Sequence, residues 1–510
     1  MNILADKHVL VLGLGSSGLA LARWCARCGA KVTVADTRPA PPQLEALQVR
    51  VPDAIFVHAA MSMALLDSAS FAMVLKSPGL SPASIAGVIT AAQAQGIACS
   101  NELGLFAQAL ADLKADQTYA PEVIAITGTN GKTTVTSLTG QLVQRAGKSV
   151  AVAGNIGPTL LDTLAEKLDA LEDGEALPDV WVLELSSFQL DGVKNFEPTA
   201  ATVLNVTQDH LDWHETLSAY AAAKTRVYGS TSTMLLNRDD PLVMAALPPL
   251  VKGKQLRTCF TFGTDEPRRP GDYGLETVNG MAWLVRAAQA DETIKRKRGK
   301  SGDEADELEL HIQRLMPVDA LRIRGQHNAC NALAALGLAT AVGCNLAPML
   351  HGLREYRGEP HRVESIAVIK DVEYFDDSKG TNVGATVAAL TGLGKERKLV
   401  LILGGEGKGQ DFSPLAEPVA RYARAVVLIG RDAPLIRAIL EGSSALPTLL
   451  LSAASMQEAV EIAAHHAQTG DAVLMSPACA SFDMFESYEH RARVFCEAVQ
   501  ELAQLEGVML

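Results

Sequence analysis

The stretch Glu122–Thr134, EVIAITGTNGKTT, constrains this chain more than any other. Its β-branched apolar run (Val123, Ile124, Ile126) reads as a strand buried on both faces, as in parallel sheets. The run breaks at Gly128-Thr129-Asn130-Gly131-Lys132-Thr133-Thr134, and a helical pattern follows. A glycine loop between strand end and helix start turns backbone N–H groups and the helix dipole toward one point, where phosphates bind. Lys132 adds positive charge there, and Thr133 offers a hydroxyl suited to a phosphate-bound Mg²⁺. The usual GxxxxGK[ST] spacing is not met, because Ile126 stands where its first glycine would fall. The stretch reads as a nucleoside triphosphate site.

A chain of 510 residues is too long for one ordinary core and implies about three domains. With 48% apolar residues a large core is available. No apolar run reaches the ~20 residues that span a bilayer, and no signal-peptide layout opens the chain, so membrane insertion is not expected. A net charge of −13 argues against broad nucleic-acid binding. Eight scattered cysteines suit a reducing cytoplasm rather than a disulfide scaffold.

The chain opens with a strand, His8–Gly13, running into Gly13-Leu14-Gly15-Ser16-Ser17-Gly18 and a helix to about Cys28; a second strand ends at Asp36. This GxGxxG pattern serves dinucleotide, mononucleotide and sugar-nucleotide sites alike, so a nicotinamide cofactor is one reading among several. Its physical content is a pyrophosphate at a helix start, with Asp36, Thr37 and Arg38 beside a ribose or base. Cys25 and Cys28 imitate a thiol–disulfide pair, but they lie at the helix's C-terminal end, where the dipole disfavours a thiolate. The polar, proline-ended stretch Leu113–Pro121 reads as a linker after an α/β domain.

Beyond the phosphate loop, the strand Val180–Leu185 carries Glu184, a carboxylate that is costly in such a run unless paired or metal-bound. A strand beside a phosphate loop commonly delivers such an acid to Mg²⁺. His210 and His214 are spaced i, i+4, but His-Leu-Asp-Trp-His lacks the HExxH order of a zinc site. Lys224 falls in an alanine-rich helix, where a surface lysine would be unremarkable. Asn328 and Asn331 open a further helix on one face, their amides suited to an adenine edge or to capping. Residues 291–309, with Lys295–Arg298 followed by acids, read as a polar, mobile insert. From Gly358 onward strand–helix alternation resumes, with loops at Asp376–Asn382, Gly404–Gly409 and Ser476–Ser481. Phosphate loop, buried acid and loop histidine propose ATP with Mg²⁺. Two more α/β units propose two further substrates, as an enzyme that phosphorylates a carboxylate and lets an amine displace the phosphate would need.

The ordered motifs Gly128–Thr134, Gly154-Asn155-Ile156-Gly157, Asn205–His210, Gly325–Asn328, His361-Arg362 and Asp377-Ser378-Lys379 together resemble the Mur ligase family, over essentially the whole chain. Within it, Leu183–Leu190 and Ser476–Asp483 are similar to the branch that adds D-glutamate. The resemblance implies three α/β domains. These are a Rossmann-like one over 1–112 for a UDP substrate, a central P-loop ATPase-like one with a mostly parallel sheet over 113–358, and a C-terminal Rossmann-like one over 359–510 for the amino acid. It implies addition of D-glutamate to UDP-N-acetylmuramoyl-L-alanine through an acyl phosphate, by a cytoplasmic monomer. ATP would lie on Gly128, Thr129, Asn130, Gly131, Lys132, Thr133 and Thr134, with Asn331 at the adenine and Arg362 and Asp377 from the third domain. Thr133, Glu184, His210 and Lys224, the last carbamylated, would hold two Mg²⁺ ions. Lys132, Asn155, His210 and Lys224 would surround the reacting groups. Gly15, Ser16, Ser17, Asp36, Thr37 and Arg38 would hold the UDP substrate, and Thr381, Lys408, Ser481 and Tyr488 the D-glutamate carboxylates.

The chain departs from that pattern at Tyr488 and Phe482, where other apolar residues are expected, and at Gly380, which is expected to loosen its turn. A folylpolyglutamate-type ligase shares the central loop but lacks the first domain. An NAD(P) oxidoreductase leaves the phosphate loop and third domain without a task. A nucleotide switch leaves Lys224, Arg362 and Lys408 unexplained.

Overall fold

The computed structural model describes residues 4–289, 310–442 and 448–508. The insert expected at 291–309 lies outside the described residues. Three mainly parallel sheets follow one another, most of their strands feeding a helix, and a small antiparallel sheet adjoins the second.

The first sheet is parallel, in the order Ile55–His58, Lys31–Asp36, His8–Leu12, Met73–Lys76, Ala98–Asn101. Val9 to Leu12 are fully buried at its centre, as a strand covered on both faces requires. The helix Ser16–Arg27 starts directly from the glycine loop. Gly18 permits that closeness: a Cβ there would sit 2.0 Å from the Gly13 carbonyl oxygen.

The second sheet is also parallel, in the order Cys259–Phe262, Thr233–Asn237, Ala200–Val203, Glu122–Thr127, Val180–Glu184, Val150–Gly154. The phosphate-loop strand and the Glu184 strand are therefore neighbours, with Ile126 in register with Glu184. The helix Gln326–Ala341, alanine-rich and buried along most of its length, packs against Lys132–Arg145. An antiparallel sheet of Tyr273–Val278, Met281–Gln289 and Leu310–Pro317 adjoins it.

The third sheet runs Glu364–Ile369, Val372–Asp376, Ala472–Met475, Leu399–Gly404, Ala423–Ile429, Leu449–Ser452. It is parallel except for its first strand, which pairs antiparallel with the second.

Two expectations need correction. Leu113–Pro121 does not begin as a linker: the helix Glu102–Gln117 runs through its first half, and Leu113 is buried. That helix belongs to a core the first two regions share, in which Phe106 meets Trp181 edge to face at 5.1 Å. Arg23–Asp162 and Lys76–Asp191 ion pairs at 2.6 and 2.7 Å cross the same seam. Nor is the turn at Gly380 loose. A Cβ there would meet Asp377 Oδ2 at 2.6 Å and Ser476 Oγ at 2.8 Å, so the glycine allows a tighter turn than a larger residue could.

Candidate active site

The phosphate loop is stapled to the loop after Ala200–Val203. Asn130 N–H donates to Asn205 Oδ1 at 2.8 Å, and Asn205 Nδ2 returns a bond to the Asn130 carbonyl at 3.1 Å. Thr129 N–H donates to the Asn205 carbonyl at 2.9 Å, and Thr207 N–H to Thr129 Oγ1 at 3.0 Å. Gly131 precedes the helix Lys132–Arg145 with φ +81°, and no side chain caps the helix start, so its leading N–H groups face the loop.

Glu184 ends its strand with 1% of its surface exposed. Asn155 Nδ2 donates to its Oε1 at 3.0 Å. Its Oε2 has no hydrogen-bond partner, and the expected alternative of a salt-bridged structural glutamate finds no ion pair among the described residues. An orphaned buried carboxylate oxygen costs free energy unless something cationic meets it.

Lys224 is not a surface residue: only 1% is exposed. Its Nζ donates to the Gly128 carbonyl at 2.9 Å and lies 4.3 Å from the Tyr220 ring centroid. Burial, and then the neighbouring Lys132, push its ammonium well below the usual lysine range. Lys132 is itself pushed down by burial, and its Nζ donates to the carbonyls of Gly128 and Thr129 at 2.9 Å. His210 takes a left-handed backbone (φ +54°) that turns its ring against Phe188 at 4.8 Å, with Nε2 3.6 Å from Asp209 Oδ2. His214 parts from it: buried, it bonds Ser187 Oγ at 2.9 Å and serves structure.

Residues from the third sheet close over the loop. Arg362 Nη2 donates to Thr133 Oγ1 at 2.5 Å. Asn130 and Asn382 exchange side-chain amide bonds at 3.3 and 3.1 Å. One cavity holds Asn130, Gly131, Thr134, Asn331, Arg362 and Asp377 together. Asn331 Nδ2 is oriented by Asn328 Oδ1 at 3.0 Å. Asp377 is buried, and that burial raises its carboxyl to about 7, with Ser476 Oγ donating to it at 2.6 Å.

A second cavity, of about 300 Å³, brings His210 together with Thr381, Lys408, Ser481 and Tyr488. Reciprocal bonds between the backbones of Glu406 and Ala480 (3.0 and 2.9 Å) pin the Gly404–Gly409 loop, which carries Lys408, to the loop that carries Ser481. Buried Arg491 donates to the carbonyls of Cys479 (3.1 Å) and Ser378 (2.8 Å), tying two of the lining loops together.

Gly15, Ser16, Ser17, Asp36, Thr37 and Arg38 gather at the edge of the first sheet and line neither cavity. Asp36 is turned inward, 2% exposed: its carboxylate accepts from Leu14 N–H at 2.7 Å and from the Arg38 guanidinium at 2.8 and 2.9 Å. It braces the glycine loop, while Thr37 and Arg38 stay exposed. Cys25 and Cys28 are free, and burial pushes both thiols up, Cys25 to about 12.

Three family profiles match in order: a MurD-like N-terminal domain over 7–101, a Mur ligase middle domain over 126–339, and a Mur ligase glutamate ligase domain over 361–479. This chain belongs to the Mur ligase family. It is 65% identical to the UDP-N-acetylmuramoylalanine--D-glutamate ligase of Albidiferax ferrireducens, over 99% of this chain and 98% of that protein. It is 58% identical to the like-named ligase of Ralstonia nicotianae, over 99% of both. Solved Mur ligases share the fold. MurF of Thermotoga maritima, solved with ADP, aligns with TM-score 0.55 and 15% identity over 99% of this chain and 100% of that one. UDP-N-acetylmuramate-alanine ligase MurC of the same organism gives 0.53 and 19%, over 98% and 100%. As a Mur ligase the chain is an ATP-dependent, amide-bond-forming enzyme, and members of the family use ATP with Mg²⁺. No described helix is long and apolar enough to cross a membrane.

Sequence reasoning missed Lys379, Asn205 and Asn382. Each was quoted within a motif or loop; their packing partners lie about 75 to 250 residues away, and no local spacing encodes that.

Proposed function

We propose that this Mur ligase joins D-glutamate to UDP-N-acetylmuramoyl-L-alanine, forming ADP, phosphate and the extended peptide in the cytoplasm. The observation that carries the reading is the convergence of Thr381, Lys408, Ser481 and Tyr488 on one cavity with His210, beside the nucleotide cavity. The full-length identity to ligases named for D-glutamate supports the choice of amino acid.

In this reading residues 1–112 hold the UDP moiety, 113–358 the ATP, and 359–510 the amino acid. Arg362, Asp377 and Asn331 orient the nucleotide, and Lys132 offsets charge on its phosphates. The orphaned Glu184 Oε2 is the observation that fits a cation, with Thr133, His210 and Lys224 completing its ligands. A Mg²⁺ held by these residues would supply positive charge against the phosphoryl oxygens. Lys224, held toward the neutral amine, would add to CO₂ with loss of one proton, giving a carbamate whose oxygens suit a hard cation. Lys408 and Thr381 would take one D-glutamate carboxylate and Ser481 with the Tyr488 backbone the other, aiming the amine at the acyl carbon. The amine then displaces phosphate and gives up a proton.

Mass analysis of the UDP-linked product formed from a mixture of D- and L-amino acids, with chiral analysis of the residue released by hydrolysis, tests this. A gain of one D-glutamyl residue is expected, and a different residue would refute the assignment.

A further inference from the structure

Lys379 stands half-buried just beyond the strand Val372–Asp376 and, among the described residues, is the one that lines both cavities. No role above uses it. Its Nζ lies 3.6 Å from the centroid of the Tyr488 ring, a cation–π contact. Further contacts hold the pair. Lys379 N–H donates to the His361 carbonyl at 3.2 Å. The His361 ring meets Tyr488 edge-on at 6.3 Å, and its Nδ1 bonds buried Asp376 Oδ2 at 2.7 Å. Tyr488 opens the helix Tyr488–Leu505, whose first turn Ser487 caps through His490 N–H at 3.2 Å. Burial, then Arg362, pushes the Lys379 ammonium down to about 8, against the opposing pull of Glu489 and Glu184.

We propose that Lys379 is a further catalytic residue, meeting the transferring phosphoryl group between the two cavities, and that the Tyr488 ring is the residue that positions it. The inference rests on the acyl-phosphate reading above. In that step the acceptor carboxylate oxygen bonds to the γ-phosphorus. The bond from that phosphorus to the ADP oxygen breaks, and its electron pair leaves with ADP. No proton moves. Lys379 donates hydrogen bonds to the non-bridging oxygens as charge shifts across them. Arg362 and Lys132 reach the same group from the nucleotide side, so Lys379 supplies the cation on the acceptor side. At Tyr488 this chain has an aromatic ring where another apolar residue was expected, and the ring's face is what the ammonium sits on.

The test traps the acyl phosphate in the full-length enzyme. ATP, Mg²⁺ and UDP-N-acetylmuramoyl-L-alanine are supplied without D-glutamate, hydroxylamine is added, and hydroxamate is counted. Lys379→Met should slow trapping by about 30-fold or more, a typical loss for a charge-stabilising donor. Tyr488→Leu should slow it by about 5- to 20-fold, and Tyr488→Phe, which keeps the ring, should recover to within about threefold of wild type. Binding of a fluorescent ADP analogue should stay within about threefold in every variant, which reports an intact nucleotide cavity. Wild-type trapping in Lys379→Met, with only the D-glutamate KM raised in turnover, would overturn the proposal. If Lys379→Met loses the ADP analogue as well, the Tyr488 pair decides: equal losses in Leu and Phe, or none in either, overturn it. Absence of hydroxamate from the wild type would overturn the acyl-phosphate reading itself.

Discussion

Lys132 and Lys224 donate to one acceptor, the carbonyl oxygen of Gly128, each at 2.9 Å. Two ammonium groups on one carbonyl in a buried place repel each other, and burial adds to the cost. In the proposed reading Lys132 faces phosphate, so Lys224 would be the one relieved by becoming neutral, or negative through a carbamate.

Replacement of Lys224 by alanine should therefore lower turnover at least about 100-fold, in the range seen when one preorganised charge is removed. Added acetate or formate should restore part of it, and circular dichroism should match the wild type. A surface lysine of no consequence would leave turnover unchanged; loss without any rescue would leave the carbamate unsupported.

Glu184→Gln keeps shape and the Asn155 contact while removing charge from the orphaned oxygen. Turnover should fall by about 100-fold or more, with the Mg²⁺ requirement moved to higher concentration. An unchanged Mg²⁺ dependence in a folded variant would mean that Glu184 is not a ligand.

The inward Asp36 fixes a different expectation. Asp36→Asn keeps an acceptor for Leu14 N–H but loses the charged fork to Arg38. The KM for the UDP substrate should rise about 10-fold, the worth of one charge-assisted bond, while the KM for ATP stays put. Equal rises in both would point to general unfolding instead.

His214 gives a pH dependence. Burial above all holds its imidazole down to about 4, against an ordinary value near 6.5. Unfolding therefore takes up a proton between those values. The stability it supports is complete above about pH 6.5 and drains as pH falls toward about 4, on the order of 1–2 kcal/mol at pH 5. The thermal midpoint of wild type should drop between about pH 7 and about pH 5, and less in His214→Gln. His327, also held to about 4 by burial, keeps part of the slope. Equal drops in wild type and variant would remove His214 from this account.

Much of the site was legible because glycine loops and strand-end carboxylates announce themselves locally. Glu122–Thr127 and Lys132–Arg145 stand where the β-branched run and the loop required. That Glu184 would be a buried carboxylate in need of a partner followed from its apolar strand. What stayed hidden depends on distant contacts. Lys224 lies in a helix whose pattern gives no hint that Gly128 and Tyr220 enclose its end. Leu113 looked like the start of a linker because a core shared between two sheets leaves no local period. Asp36 resembled a ribose ligand, and only the fold shows its oxygens committed to Leu14 and Arg38. The carbamate and the D-glutamate contacts entered through family resemblance alone.

The most direct test of the central claim is phosphate release with ATP and Mg²⁺, offering each amino acid in turn, with and without UDP-N-acetylmuramoyl-L-alanine. Sustained release is expected only when D-glutamate and the UDP substrate are present together. Sustained release that ignores D-glutamate, or that needs no UDP substrate, would contradict it.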